Sequence, residues 1–124
     1  MELTLRRRDE GEHTVVEAAG ELDVYTAPRL RELLLGLDAE GRHRVVLDLD
    51  ALTFIDSTGL GVLVGGLSRT REAGGDLTLA CASERVLRPF QITGLTEVFA
   101  VHPTVEAALA ATPPQSPPSP PTAG

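Results

Sequence analysis

A chain of 124 residues supports one domain with a modest core, and with 42% apolar but only 3% aromatic residues that core has to be built from Leu, Val and Ala. The formal net charge of −7, from 18 acidic against 11 basic residues, repels nucleic-acid phosphates and anionic lipid surfaces, and the scarce rings offer little stacking for bases. Direct nucleic-acid binding is therefore not expected.

In chain order, Leu3 and Leu5 alternate with polar neighbours, Asp9 to Glu12 reads as a turn, and Thr14 to Ala18 as a second strand, so the chain opens with a hairpin. After Gly20 to Asp23 (GELD), Thr26 is placed to cap a helix with Pro28 in its first turn, where a missing N–H is tolerated. Leu30, Leu33, Leu34 and Leu37 recur at i, i+3, i+4 and i+7 and give that helix one apolar stripe, and Gly41 ends it. Arg44 to Asp50 begins almost continuously apolar, as a buried central strand does, and the residues on to Asp56 read as a loop. Ser57 opens a second helix, striped by Leu60, Leu63, Val64 and Leu67 and stopped by Gly74 and Gly75. Leu77 to Cys81 is another strand, and Ser83 is placed to cap a helix around Val86, Leu87 and Phe90. Val98 to Val101 reads as a last strand, and Val105, Ala108 and Leu109 mark a terminal helix.

The order β-β-α-β-α-β-α-β-α predicts a single α/β domain over residues 1–112, with a mixed, mostly parallel sheet of about five strands, an N-terminal hairpin and about four helices. Residues 113–124, PPQSPPSPPTAG, bury too little apolar surface to offset the entropy of ordering and predict a disordered tail. A solvated extension and a Pro-x-x-Pro ligand are its two readings.

All 11 basic residues are arginine, which removes the P-loop lysine and any lysine Schiff base. Cys81 alone allows no internal disulfide and builds no metal site by itself; following an apolar run, it reads as a buried thiol. No run of about 18 apolar residues occurs, and MELTLRRRDE lacks the apolar region of a signal peptide, so a cytoplasmic protein without membrane insertion is expected. Asp48, Asp50 and Asp56 resemble the acidic set that holds Mg²⁺ in phospho-acceptor aspartate domains, but those domains also use a lysine. No metal and no cofactor are expected. Ser57 is not in a Gly-x-Ser-x-Gly elbow, because Ile55 fills the preceding glycine position, and His13, His43 and His102 read as surface residues rather than triad bases. The chain is therefore expected to carry no catalytic residue.

The helix opened by Ser57 holds Gly59, Gly61, Gly65 and Gly66 in its first three turns. Each interior glycine costs about 0.8 to 1 kcal/mol against alanine, roughly 3 kcal/mol together, so propensity does not select them. Two readings stand open: close packing inside the domain, or bare backbone offered to a partner. Ser57 also has two readings. It is itself a good N-cap, or Asp56 is the cap and the Ser57 hydroxyl faces solvent.

The run Val46 to Gly65, VLDLDALTFIDSTGLGVLVG, closely resembles the signature of the bacterial anti-sigma factor antagonist family, whose fold is the STAS domain. The resemblance extends to Gly20 to Asp23, to Gly74 and Gly75, and to Phe90 to Leu95 (FQITGL), and so covers nearly all of residues 1–112. It implies a non-catalytic phosphoprotein that regulates transcription by partner switching. The unphosphorylated form binds an anti-sigma factor that is also a serine kinase of the histidine-kinase-like ATPase fold, and this frees a sigma factor. The kinase supplies ATP and Mg²⁺, and a PP2C-type phosphatase restores the binding form. Ser57 holds the phosphorylated position; Thr58 keeps a hydroxyl where the family often has a second serine, which leaves open whether it is a secondary acceptor. The partner-binding residues it implies are Asp23, Thr26, Asp56, Ser57, Thr58, Gly59, Leu60 and Gly61; for Asp23 a turn carboxylate is an equal reading. A monomer is expected. The alternative within the same fold is a STAS regulatory subunit of a membrane lipid-transport ATPase.

Overall fold

The opening hairpin forms as the alternation of Leu3 and Leu5 predicts. In the computed structural model, which describes residues 2–111, β1 (Leu3–Glu10) pairs antiparallel with β2 (His13–Leu22) in a register that closes with Glu10 opposite His13. Gly11 takes φ +64° in the two-residue link, the positive φ that such tight turns need at their first position. The predicted tail, 113–124, lies outside the described residues.

From β2 the chain runs through α1 (Ala27–Ala39), β3 (Arg44–Asp48), β4 (Leu52–Ile55), α2 (Ser57–Glu72), β5 (Asp76–Ala80) and α3 (Glu84–Ile92). A 3₁₀ turn (Leu95–Glu97), β6 (Val101–His102) and α4 (Val105–Ala111) complete it. The sheet order is β1-β2-β3-β5-β6, parallel from β2 onward, with β4 pairing parallel to β2 beyond the end of β3. No helix of the described residues is long and apolar enough to cross a membrane.

Strand side chains alternate between faces, so consecutive residues report two cores. Val16, Val45, Leu47 and Leu79 point into the main cluster, where the stripes Leu30, Leu34 and Leu37 of α1 and Leu60, Leu63 and Leu67 of α2 meet Val86 and Phe90 of α3. Val15, Val46 and Ala80 point the other way, beneath Val105 and Ala108 of α4. Covering on both faces explains the unbroken apolar start of β3. Cys81 is buried in the main cluster, and burial pushes its thiol up, away from reactivity. The turn after α2 has to be glycine at position 75, since a Cβ there would lie 1.8 Å from the His43 carbonyl oxygen.

Three expectations need correction. The segment read as a loop up to Asp56 contains β4, so the sheet has six strands. Its burial does not alternate, because the pairing with β2 shifts register between Gly20 and Glu21, and four residues are too few to reveal a period. The last strand lies later than Val98 to Val101. Phe99 is turned inward by the 3₁₀ turn to meet Phe90 edge-to-face at 5.9 Å, leaving Val101–His102 to pair with β5. The two expected cap bonds do not form: Thr26 and Ser83 occupy the cap positions of α1 and α3, but neither side chain bonds its helix, and the Thr26 hydroxyl is taken up by the loop before it.

Asp48, opposite Glu17 at the end of β3, is half-buried. Burial pushes its carboxyl up, and the like charges of Glu17 and Asp50 add to this against a bond from the Asp50 N–H and the pull of Arg8. A carboxyl raised on folding holds its proton longer in the folded state, so stability is lost as pH rises through the folded value. Asp48→Asn is therefore expected to melt higher than wild type at pH 7. The gap should close once pH falls below the ordinary aspartate range, as read by thermal melts across pH.

Candidate functional site

β2 and β4 end side by side. Glu21 is paired with Phe54 and Leu22 with Ile55, and the Asp56 N–H donates to the Leu22 carbonyl at 3.2 Å. Two loops therefore leave the sheet as neighbours at the carboxyl ends of parallel strands: Asp23 to Thr26, leading into α1, and Asp56 to Ser57, leading into α2.

In the second loop Asp56 is extended (φ −115°, ψ −174°), and its Oδ1 accepts from the Gly59 N–H at 3.0 Å. Asp56 is thus the N-cap, and Ser57 is the first residue of the helix. Both Ser57 and Thr58 are exposed, and neither hydroxyl bonds to any described residue. The sequence left the cap open between Asp56 and Ser57; the geometry assigns it to Asp56 and leaves the serine hydroxyl to solvent.

The two readings of the four glycines divide them evenly. A Cβ on Gly59 would lie 2.8 Å from Leu22 Cγ, and one on Gly66 would lie 2.9 Å from Leu34 Cδ1, so these two let α2 sit close against the sheet and α1. A Cβ on Gly61 would meet nothing within 4 Å, and one on Gly65 only Arg69 of its own helix at 3.6 Å. Gly61 and Gly65, four residues apart, continue the face that begins at Ser57 and have no packing reason to be glycine.

The first loop reverses the usual distribution of residue types. Asp23 and Thr26 are 8% and 5% exposed, whereas Val24 and Tyr25 between them are 55% and 81% exposed. Asp23 Oδ1 accepts from the N–H groups of Tyr25 (2.9 Å) and Thr26 (3.0 Å). The Thr26 hydroxyl accepts from the Asp23 N–H (2.9 Å) and donates to the Glu21 carbonyl (2.8 Å). Desolvation by itself would raise the Asp23 carboxyl, but the Thr26 and Tyr25 donors outweigh it and hold it below the usual carboxylate range. Leu60 is buried and supports α2 from below. Of the predicted docking residues, Ser57, Thr58 and Gly61 are thus surface, Asp56 is half-buried, and Asp23, Thr26, Gly59 and Leu60 lie beneath it. Sequence reasoning did not anticipate that Val24 and Tyr25 would be exposed. The available signal was an apolar pair in a loop, bracketed by two residues that favour turns.

The other chemical readings find little to work with. Asp48 Oδ1 accepts from the Asp50 N–H, Asp50 Oδ1 from the Ala82 N–H and Asp56 Oδ1 from the Gly59 N–H. Among the described residues no three His, Cys, Asp or Glu side chains gather as a metal would need. His43 bonds Asp38 at 2.8 Å at the start of β3, the opposite end of the strands from Ser57, and His13 starts β2 at that same far end. His102 lies on β6, separated from β2 by β3 and β5. A surface hollow lined by Glu12, Arg42, His43, Arg44 and Gly75 is also at the far end, and Arg42 there already donates to Thr14 and to the Gly11 and His13 carbonyls.

Fold and site together describe an α/β domain in which a helix start carrying two exposed, unbonded hydroxyls lies beside a loop closed by its own hydrogen bonds. A family model described as the STAS domain matches residues 4–108, and the chain belongs to the STAS domain family. It is similar to the anti-sigma-B factor antagonist of Staphylococcus epidermidis, at 42% identity over 91 residues, covering 73% of this chain and 84% of the relative. It is similar also to the anti-sigma-B factor antagonist of Bacillus subtilis, at 45% identity over 84 residues, covering 68% of this chain and 76% of the relative. The crystal structure of an anti-sigma factor antagonist from Mycobacterium paratuberculosis superposes with a TM-score of 0.83 at 30% identity, covering 90% of this chain and 94% of that one.

Two predictions follow from this geometry. Asp56→Ala should lower stability by about 1 kcal/mol, the usual worth of an N-cap, while Ser57→Ala should stay within about 0.5 kcal/mol of wild type because no bond is lost. Denaturant titration distinguishes the two. On the same helix, Gly61→Ala should stabilise by up to about 1 kcal/mol, while Gly59→Ala should destabilise by pushing on Leu22 and Ile55, a contrast of sign that paired thermal melts will read.

Proposed function

We propose that this protein is an anti-sigma factor antagonist: unphosphorylated, it binds a serine-kinase anti-sigma factor and so releases a sigma factor, and phosphate on Ser57 ends that binding. The observation that carries the reading is the Ser57 hydroxyl, exposed and unbonded at the first turn of α2 because Asp56 performs the capping. The similarity to proteins named anti-sigma-B factor antagonists supports it and does not favour the transporter-subunit alternative.

The physics fits a switch that acts on binding rather than on folding. Phosphorylation adds about −1.5 to −2 charges, and a helix N-terminus stabilises an anion by at most about 2 kcal/mol, so the free domain tolerates it. Ser57 and Thr58 keep the unpaired N–H groups of a first helical turn, which suit an anion further. At a docked surface, one extra unit charge facing a like charge about 5 Å away is repelled by roughly 3 kcal/mol at an effective dielectric near 20. That corresponds to about two orders of magnitude in affinity. The chain supplies the hydroxyl and the docking surface; the kinase supplies ATP and Mg²⁺, and a PP2C-type phosphatase reverses the modification. Thr58, also exposed, is a secondary acceptor in this reading.

Purified anti-sigma kinase and ATP should place phosphate on Ser57, localised by mass spectrometry, and the phosphorylated chain should bind the kinase about 100-fold more weakly than the unmodified one. Ser57→Ala should bind like wild type and accept no phosphate at that position. Phosphate found only on Thr58 reassigns the switch, and no phosphate on either residue removes the reading.

A further inference from the structure

Among the described residues Tyr25 is the most exposed of the large apolar side chains, at 81%, with Val24 beside it at 55%. Both stand on a loop that is closed on itself by Asp23 Oδ1, which accepts two backbone N–H groups, and by the Thr26 hydroxyl, which ties the loop to Glu21. A loop held this way has little freedom left to lose when a partner covers it, and a tyrosine brings a large contact area with only two side-chain torsions to freeze. Its position leaves little choice of occupant. Leu22 and Ile55 are paired, parallel strands lie about 4.8 Å apart, and the Asp56 N–H bonds the Leu22 carbonyl. The loop carrying Val24 and Tyr25 is thus the direct neighbour of the Ser57 loop, which makes a protein that docks on Ser57 the occupant it fits.

Resting on the partner reading above, we propose that Val24 and Tyr25 are the apolar anchor of the docking surface, received by an apolar hollow on the anti-sigma kinase, and that Asp23 and Thr26 are positioning residues that shape this loop without touching the partner. The residue types suggest the opposite division, with the carboxylate and hydroxyl as contacts, and burial at 8% and 5% reverses it. The arrangement also sharpens the switch. A hollow that closes over an aromatic ring excludes water from its surroundings, and a dianion on the neighbouring loop is then both desolvated and unpaired.

The test titrates the purified cognate anti-sigma kinase with wild-type chain and with Tyr25→Ala, Val24→Ala, Asp23→Asn and Asp23→Ala. Tyr25→Ala is expected to weaken binding by more than about 10-fold and Val24→Ala by about 3-fold, with melting temperatures unchanged. Asp23→Asn keeps the Oδ1 acceptor and loses only the charge, so it should bind within about 2-fold of wild type, while Asp23→Ala weakens as Tyr25→Ala does. Amide exchange at Tyr25 and Thr26 reports the loop independently: slow in wild type and Asp23→Asn, fast in Asp23→Ala. Asp23→Asn binding more than about 10-fold weaker with its amides still protected shows that the charge itself meets the partner and overturns the positioning role. Tyr25→Ala binding like wild type overturns the anchor while leaving the Ser57 switch intact. A wild-type chain that neither binds the kinase nor accepts phosphate overturns both. Should Asp23→Ala fail to fold, Asp23→Asn and Tyr25→Ala decide the question alone.

Discussion

The site depends on three residue pairings at the end of one strand. Gly20, Glu21 and Leu22 of β2 accept β4 as a parallel neighbour, and the Asp56 N–H adds one bond beyond the ladder to the Leu22 carbonyl. This short stretch sets the start of α2 next to the loop into α1 and aims both away from the sheet. Without it, Ser57 and Tyr25, 32 positions apart in the sequence, would have no reason to share a surface. Ligands in open parallel sheets gather beyond the carboxyl ends of the strands because the connecting loops crowd there. Here the same geometry brings the loops into α1 and α2 side by side at that end.

α2 has to satisfy that surface and the core at once, and its sequence shows the division. Leu60, Leu63 and Leu67 anchor it, Gly59 and Gly66 let it approach Leu22 and Leu34, and Gly61 and Gly65 meet no other element, Gly65 having only Arg69 of its own helix nearby. The inward glycines are explained by packing. The outward ones forgo helix stability for no internal return, which is the pattern expected where close approach by another backbone matters more than the stability of the free domain. The capping arrangement has the same logic. Asp56 closes the helix end, so the hydroxyl beside it is not needed for folding and is available for chemistry.

Much of the fold was legible because its signals are local and repeated. The leucine stripes of α1 and α2, the glycine stops at Gly41 and at Gly74 with Gly75, and the uninterrupted apolar start of β3 each report a periodicity that a helix or a doubly covered strand imposes. β4 was not legible. Four residues with a shifted register show no alternation, and Leu52 and Ile55 gain their meaning only from β2 lying beside them. Phe99 escaped for a related reason, since its partner Phe90 is on a different element.

By itself, the sequence determined the α/β class, the two striped helices, the serine at the head of a glycine-rich helix and the family to which that run of residues points. The tertiary structure alone decided which residue caps α2, which glycines pack and which are bare, and that Asp23 and Thr26 turn inward while Val24 and Tyr25 turn out. The physical reason is the same in each case. Element type follows from propensity and spacing along the chain, whereas exposure and hydrogen-bond partnership depend on what the rest of the chain places against a residue, and no local pattern records that.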